Sequence, residues 1–165
     1  MSDEYGTADI EVRKRVGAPI DEVFTAFTDG DQIAGWWGPE GFSATATSDA
    51  RPGGALRIVM VGPEGVDQPI VGSYTEVTPP SRIVTDMIAE WPAGVDAVHA
   101  VIEVELTEVD GGTEIRVRAQ GRGLAPQARP MLEGMEAGWT ETLQCLDRYL
   151  QERRQPSLKM RHETA

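Results

Sequence analysis

One cysteine and two histidines in 165 residues leave this chain short of the side chains from which most metal centres and nucleophilic sites are built. Cys145 has no partner for an internal disulfide, which fits a reducing compartment. His99 and His162 are far apart in sequence and, with one thiol, supply no metal-ligand cluster and little support for a histidine-based triad. No apolar run approaches the ~18 residues a bilayer crossing needs, and the first seven residues lack the basic and apolar regions of a signal peptide. The expectation is a cytoplasmic protein without a membrane span. Basic residues are also scarce: 15 Lys and Arg against 27 Asp and Glu give a net charge of -12. Such a surface repels phosphate backbones, so no nucleic acid partner is expected. Arg153, Arg154, Lys159, Arg161 and His162 concentrate positive charge in or beside residues 155–165. With Pro156 and few apolar residues, that segment reads as a flexible C-terminal tail. The pairs Gly53-Gly54 and Gly111-Gly112 each join strand to strand, so they are turns rather than phosphate loops. Nothing here calls for a cofactor or a metal.

Residues 1–154 read as one domain, large enough to bury a core without disulfides. From Pro130 to about Arg154, Leu132, Met135, Trp139, Leu143, Leu146 and Leu150 recur at steps of three and four, which predicts a long amphipathic helix. Pro130 fits only its first turn. Near the other end, alternation from Asp9 to Val16 predicts a strand. Ile20, Val23, Phe24 and Phe27 then mark a short helix with Pro19 at its first position and Asp21 and Glu22 complementing the dipole. Asp31 is placed to cap a further turn through Gln32, Ile33 and Ala34. Successive strands follow at 42–50, 56–61, 69–77 and 82–90, separated by glycine and proline turns. The predicted fold class is α+β, a curved antiparallel sheet wrapped around the C-terminal helix.

The clearest strand pair begins at Val98. Ala100, Ile102, Val104 and Leu106 share one face, while His99, Glu103, Glu105 and Thr107 share the other. After Asp110-Gly111, a type I′ hairpin signal, Ile115, Val117 and Ala119 are apolar and Glu114, Arg116, Arg118 and Gln120 polar. A two-residue turn places Glu105 opposite Arg116, Glu103 opposite Arg118 and Val104 opposite Val117.

Candidate chemistry is sparse. Asp86 and Glu90 sit on a strand apolar on both sides, with Val84 and Ile88 against Ile83 and Met87. Desolvation would raise either carboxylate's pKa and fit it for proton transfer; ion pairing or edge exposure is the alternative. Arg57 and Tyr74, among apolar strand residues, either orient a polar ligand group or point outward. Cys145, between Leu143 and Leu146, reads as a small hydrophobe. In the run Gly35-Trp36-Trp37-Gly38-Pro39 two roles are open: an indole stapling the loop to the core, or a pocket lip. Trp91 is a second candidate for closing a cavity.

Taken in order, Ala18-Pro19 with Glu22-Val23-Phe24, Gly35-Trp36-Trp37-Gly38-Pro39, Arg51-Pro52-Gly53-Gly54, Gly72-Ser73-Tyr74 ahead of Val77-Thr78-Pro79-Pro80-Ser81-Arg82, Asp110-Gly111-Gly112-Thr113 and Gly138-Trp139 resemble the family named for the activator of heat shock protein 90 ATPase. That resemblance implies the START-like, helix-grip superfamily, with a cavity between sheet and helix. Relatives in that superfamily bind lipids, hormones or polyketides, and some cyclise or dehydrate aromatic polyketides. The eukaryotic activator's additional N-terminal domain has no expected counterpart here. The resulting expectation is a binding protein for a small apolar or aromatic molecule. Its site would be lined or closed by Trp37, Phe42, Met60, Tyr74, Met87, Trp91, Met131, Met135 and Trp139. The alternatives are a cyclase-like enzyme using Asp86 or Glu90, and a chaperone-interacting module. Homodimerisation through a sheet edge or the terminal helix is compatible with all three.

Overall fold

Alternating apolar stretches between glycine and proline turns become seven strands, and the two 3.6-residue periodicities become helices. The computed structural model describes residues 4–154, the side chain of Arg154 excepted. The chain runs β1 (Thr7–Val16), α1 (Ile20–Thr28), α2 (Gly30–Trp36), β2 (Ser43–Ser48), β3 (Ala55–Val61), β4 (Asp67–Thr78) and β5 (Arg82–Glu90). It continues through β6 (Asp96–Val109), β7 (Gly112–Gly123), α3 (Ala128–Glu133) and α4 (Met135–Arg154). The strands form one antiparallel sheet in the order β1-β7-β6-β5-β4-β3-β2, a meander to which β1 adds beyond β7. Residues 155–165, read above as a tail, lie outside the described residues. Among the described residues no helix is long and apolar enough to cross a membrane, and no group of three or more His, Cys, Asp or Glu could hold a metal ion.

The apolar stripe of α4 packs on the inner face of the sheet, with Leu143, Leu146 and Leu150 at 0%, 0% and 3% exposure in one cluster with Val104, Leu106, Ile115 and Val117. The single long helix predicted from Pro130 is in fact two, broken at Gly134. That residue caps α3 with φ -89° and ψ 0°, where helix propensity is weakest. Pro130 lies in the first turn of α3, where its missing N–H costs nothing. Pro19 precedes α1 in extended backbone rather than opening it. The cap of α2 is Asp29, not Asp31: its carboxylate accepts from the Gln32 backbone N–H at 3.1 Å.

The β6–β7 register is the one alternation predicts, with Glu105 opposite Arg116, Val104 opposite Val117 and Glu103 opposite Arg118. Its turn differs. Gly111 has φ 80° but no non-glycine residue among the described residues has positive φ, so Asp110 does not adopt the left-handed conformation that a type I′ turn requires. On the outer face the register does not decide every ion pair. Arg116 pairs with Glu105 and with Glu11 of β1, whereas Glu103 turns to Arg82 of β5 (2.8 Å) and Arg118 to Asp9 of β1 (3.1 Å). Arg82 also reaches Glu105 and Glu76, so alternating charges link β1, β7, β6, β5 and β4. These groups are partly or largely exposed, and such pairs contribute little to stability individually.

Candidate functional site

A cavity of about 200 Å³ lies between the sheet and the first half of α4. Its origin is a taper in side-chain size. Along the inner face of β6, the large Leu106, Val104 and Ile102 are followed by the small Ala100, and along β7 Ile115 and Val117 give way to Ala119 and Gly121. The register aligns these gradients: Leu106 faces Ile115, Ile102 faces Ala119 and Ala100 faces Gly121. The large end meets Leu143, Leu146 and Leu150. Toward the small end Met135 and Leu132 fill the place a side chain at Gly121 would take, and the void opens beside them at Ala100 and Ala119.

Met60, Ile70, Met87, Ala89, Val98, Ala100, Ile102 and Ala119 line the cavity from the sheet. Met131, Met135, Gly138, Trp139 and Thr142 line it from the helices, and Trp37 and Pro39 from the α2–β2 loop. Among the described residues, none that lines the cavity is acidic, basic, histidine, cysteine or tyrosine. Thr142 is the lining residue with a hydroxyl, and it donates to the Gly138 carbonyl at 2.8 Å. Gly138 sits within α4, where glycine costs roughly 0.8–1.0 kcal/mol relative to alanine.

The adjacent tryptophans divide the two roles that the sequence left open. Trp36, 3% exposed, is the staple: its Nε1 donates to the Ala26 carbonyl at 2.9 Å and its ring meets Phe27 edge-on. Trp37 lines the cavity and meets Trp139 edge-on, with ring centroids 5.2 Å apart and planes at 79°.

Of the nominated residues, Trp37, Met60, Met87, Met131, Met135 and Trp139 are brought together at this cavity. Phe42 is not among its lining. It packs beside Gly62 and faces a second, polar cleft formed by the α2–β2 loop and α4. Trp91 packs toward Ala97, Val98, Ala128 and Leu132, and its carbonyl accepts from Gln127 Nε2. Asp86 points to the outer face of the sheet, where it meets His99 Nε2 at 2.6 Å, and Glu90 accepts from the Gly94 N–H at 2.7 Å. Neither acid lines the cavity: the apolar run of β5 turns Ile83 and Met87 inward, leaving the acids with Val84 and Ile88 on the other side. Arg57 is exposed.

Tyr74 is core, at 1% exposure. Its hydroxyl donates to Ser48 Oγ (2.7 Å), which donates to the Thr28 carbonyl (2.6 Å), tying β4 to β2 and the end of α1. Burial, with Asp49 nearby, raises its pKa above the ordinary value of 10.0, and the Ser48 hydrogen bond opposes that only in part. A raised folded-state value means that folding favours the protonated phenol. The contribution is therefore fully present below pH 10.0 and is lost as the pH rises through the folded value. Tyr74→Phe should cost about 1–2 kcal/mol at neutral pH and flatten the alkaline fall in stability. Urea unfolding between pH 7 and pH 11 checks this; an unchanged alkaline limb would refute it.

Cys145 differs from the small hydrophobe that its leucine neighbours suggested. It faces the polar cleft, with Sγ 3.7 Å from Glu40 and 3.5 Å from Arg148, which themselves pair at 2.7 Å. Burial and the Glu40 carboxylate push the thiol up, toward its protonated form.

Sequence reasoning missed the small residues Ala89, Ala119 and Thr142, because it looked for large side chains. For Ala119 the signal was present in the decrease in side-chain size along β7; Ala89 on β5 and Thr142 on α4 carried none.

A seven-stranded antiparallel sheet gripping a long C-terminal helix, with an apolar cavity between them, defines a protein of the START-like, helix-grip fold. More particularly, the family described as Activator of Hsp90 ATPase homolog 1-like protein matches residues 17–151, and the chain belongs to that family. Among solved structures, a Chromobacterium violaceum protein is 26% identical, with a TM-score of 0.70 over 84% of this chain and 94% of its own. One from Nitrosomonas europaea is 26% identical, with a TM-score of 0.71 over 89% and 96%. An AHSA1 protein from Silicibacter pomeroyi, at 23% identity and a TM-score of 0.72 over 88% and 99%, shares the fold. A comparison with curated proteins found no match.

Proposed function

We propose that the protein is a cytoplasmic small-molecule-binding protein that holds an apolar or aromatic ligand between its sheet and the first half of α4. The observation that carries this reading is the cavity itself: about 200 Å³, walled by methionines, alanines and two indoles, without a charged side chain in its lining among the described residues. Methionines give contact that adapts to a ligand's shape, and apolar surface leaving water supplies the affinity.

A ligand at one hundred times its dissociation constant stabilises the folded state by about 2.7 kcal/mol, which for a domain of this size corresponds to a melting-temperature rise of roughly 5–10 °C. Thermal melts with a panel of apolar and aromatic compounds, together with native mass spectrometry of the protein as purified, test the reading. A flat response to the whole panel and no retained small molecule would remove it.

Proton-transfer chemistry of the cyclase type finds no titratable side chain among the described residues that line the cavity. For a chaperone-interacting module, Val66 and Val95 are the large hydrophobic side chains exposed among the described residues, and they lie in different hairpin loops. Neither observation favours a second reading.

A further inference from the structure

Gly138 stands apart from the other glycines of the fold. Gly54, Gly72 and Gly112 are demanded by packing, since a Cβ at each would fall within 2 Å of a backbone oxygen. Gly121 makes room for the end of Met135. At Gly138 a Cβ would meet nothing within 4 Å beyond the backbone of its own stretch of helix, and its φ is not left-handed. The folded chain gains no packing from glycine there, and helix propensity opposes it. Yet the position lines the cavity. One turn on, Thr142 spends its only hydroxyl hydrogen on the Gly138 carbonyl, so Oγ1 has lone pairs to offer and nothing to donate.

We infer that Gly138 is the specificity-determining position of this cavity. The ligand is a neutral, flat aromatic of one or two rings carrying a hydroxyl or N–H donor. It lies against the exposed backbone of α4 at Gly138, flanked by Trp37 and Trp139, with its donor on Thr142 Oγ1. This rests on the binding reading above and narrows it. Size agrees: a cavity of about 150 Å³ admits benzene, so about 200 Å³ suits a molecule up to two fused rings, whereas a long acyl chain or a sterol would extend beyond it. Charge agrees too, because a carboxylate or ammonium would be desolvated with no partner in the lining.

The test titrates 1-naphthol, naphthalene and palmitate into the full chain, followed by calorimetry and by quenching of tryptophan fluorescence. Wild type is compared with Gly138→Leu, Thr142→Val and Gly134→Ala, the last a helix-end glycine outside the lining. Wild type and Gly134→Ala should bind 1-naphthol alike. Gly138→Leu should bind it at least tenfold more weakly, with a melting temperature equal to or above wild type. Thr142→Val should lose a severalfold preference for 1-naphthol over naphthalene. Should leucine lower the melting temperature, Gly138→Ala keeps the test readable: it should melt higher than wild type and bind severalfold more weakly. Undiminished 1-naphthol binding by both Gly138 variants overturns the inference. Palmitate bound in preference to the ring compounds overturns it while leaving the cavity reading intact, and a wild type that binds none of the three and no other apolar compound overturns both.

Discussion

Gly72→Ala is expected to lower the stability of the folded state by about 3 kcal/mol or more, or to prevent folding altogether. The added Cβ would sit 1.9 Å from the carbonyl oxygen of Asp86 and 2.8 Å from the Cα of Met87, both backbone atoms of the neighbouring strand β5. A side chain could rotate away from such a contact, but β5 cannot, because it is hydrogen-bonded to β4 on one side and to β6 on the other. The register of β4 already shifts between Tyr74 and Glu76, so moving β4 instead would disturb the buried Tyr74. Ser73→Ala, one residue away, is the control and should change stability by no more than about 0.5 kcal/mol. Urea unfolding followed by circular dichroism measures both. A Gly72→Ala protein with a wild-type midpoint would show that the β4–β5 contact is looser than described.

Leu146→Ala should cost about 2–5 kcal/mol, because a side chain with 0% exposure would leave a void in a close-packed cluster. Met135→Ala should cost less, under about 2 kcal/mol. Met135 is only part-buried and already borders the cavity, so truncation removes fewer contacts. The difference between the two variants is the measurement that matters, read from denaturant midpoints at constant m-value. Equal costs would mean that both halves of α4 are packed alike and that its division into a core half and a cavity half is wrong.

How far the fold is legible in the sequence depends on the range of the interaction. The β6–β7 hairpin follows from alternation over two stretches and a two-residue turn, both local, and its register was readable to the residue. The stripe Leu143, Leu146, Leu150 was readable for the same reason. The break at Gly134 was not, because Leu132 and Met135 keep the apolar spacing across it. The choice of Asp29 over Asp31 as cap turned on a one-residue difference in where the backbone leaves extended conformation. The family's cavity was an inference from resemblance; the small Ala100 and Ala119 on adjacent strands, beside larger inward neighbours, supply its physical cause.

The sequence by itself determined the periodicities, the turns, the inward and outward faces of the final hairpin and the acidic balance, since each is a property of neighbouring residues. Only the tertiary structure decided which partner a long-range group takes. It sent Arg118 to Asp9 rather than Glu103, turned Asp86 outward to His99, and buried Tyr74 against Ser48 away from the cavity that Trp37 and Trp139 line. Such choices depend on strands distant in sequence that compete for the same charge or the same space, and no local pattern records the competition.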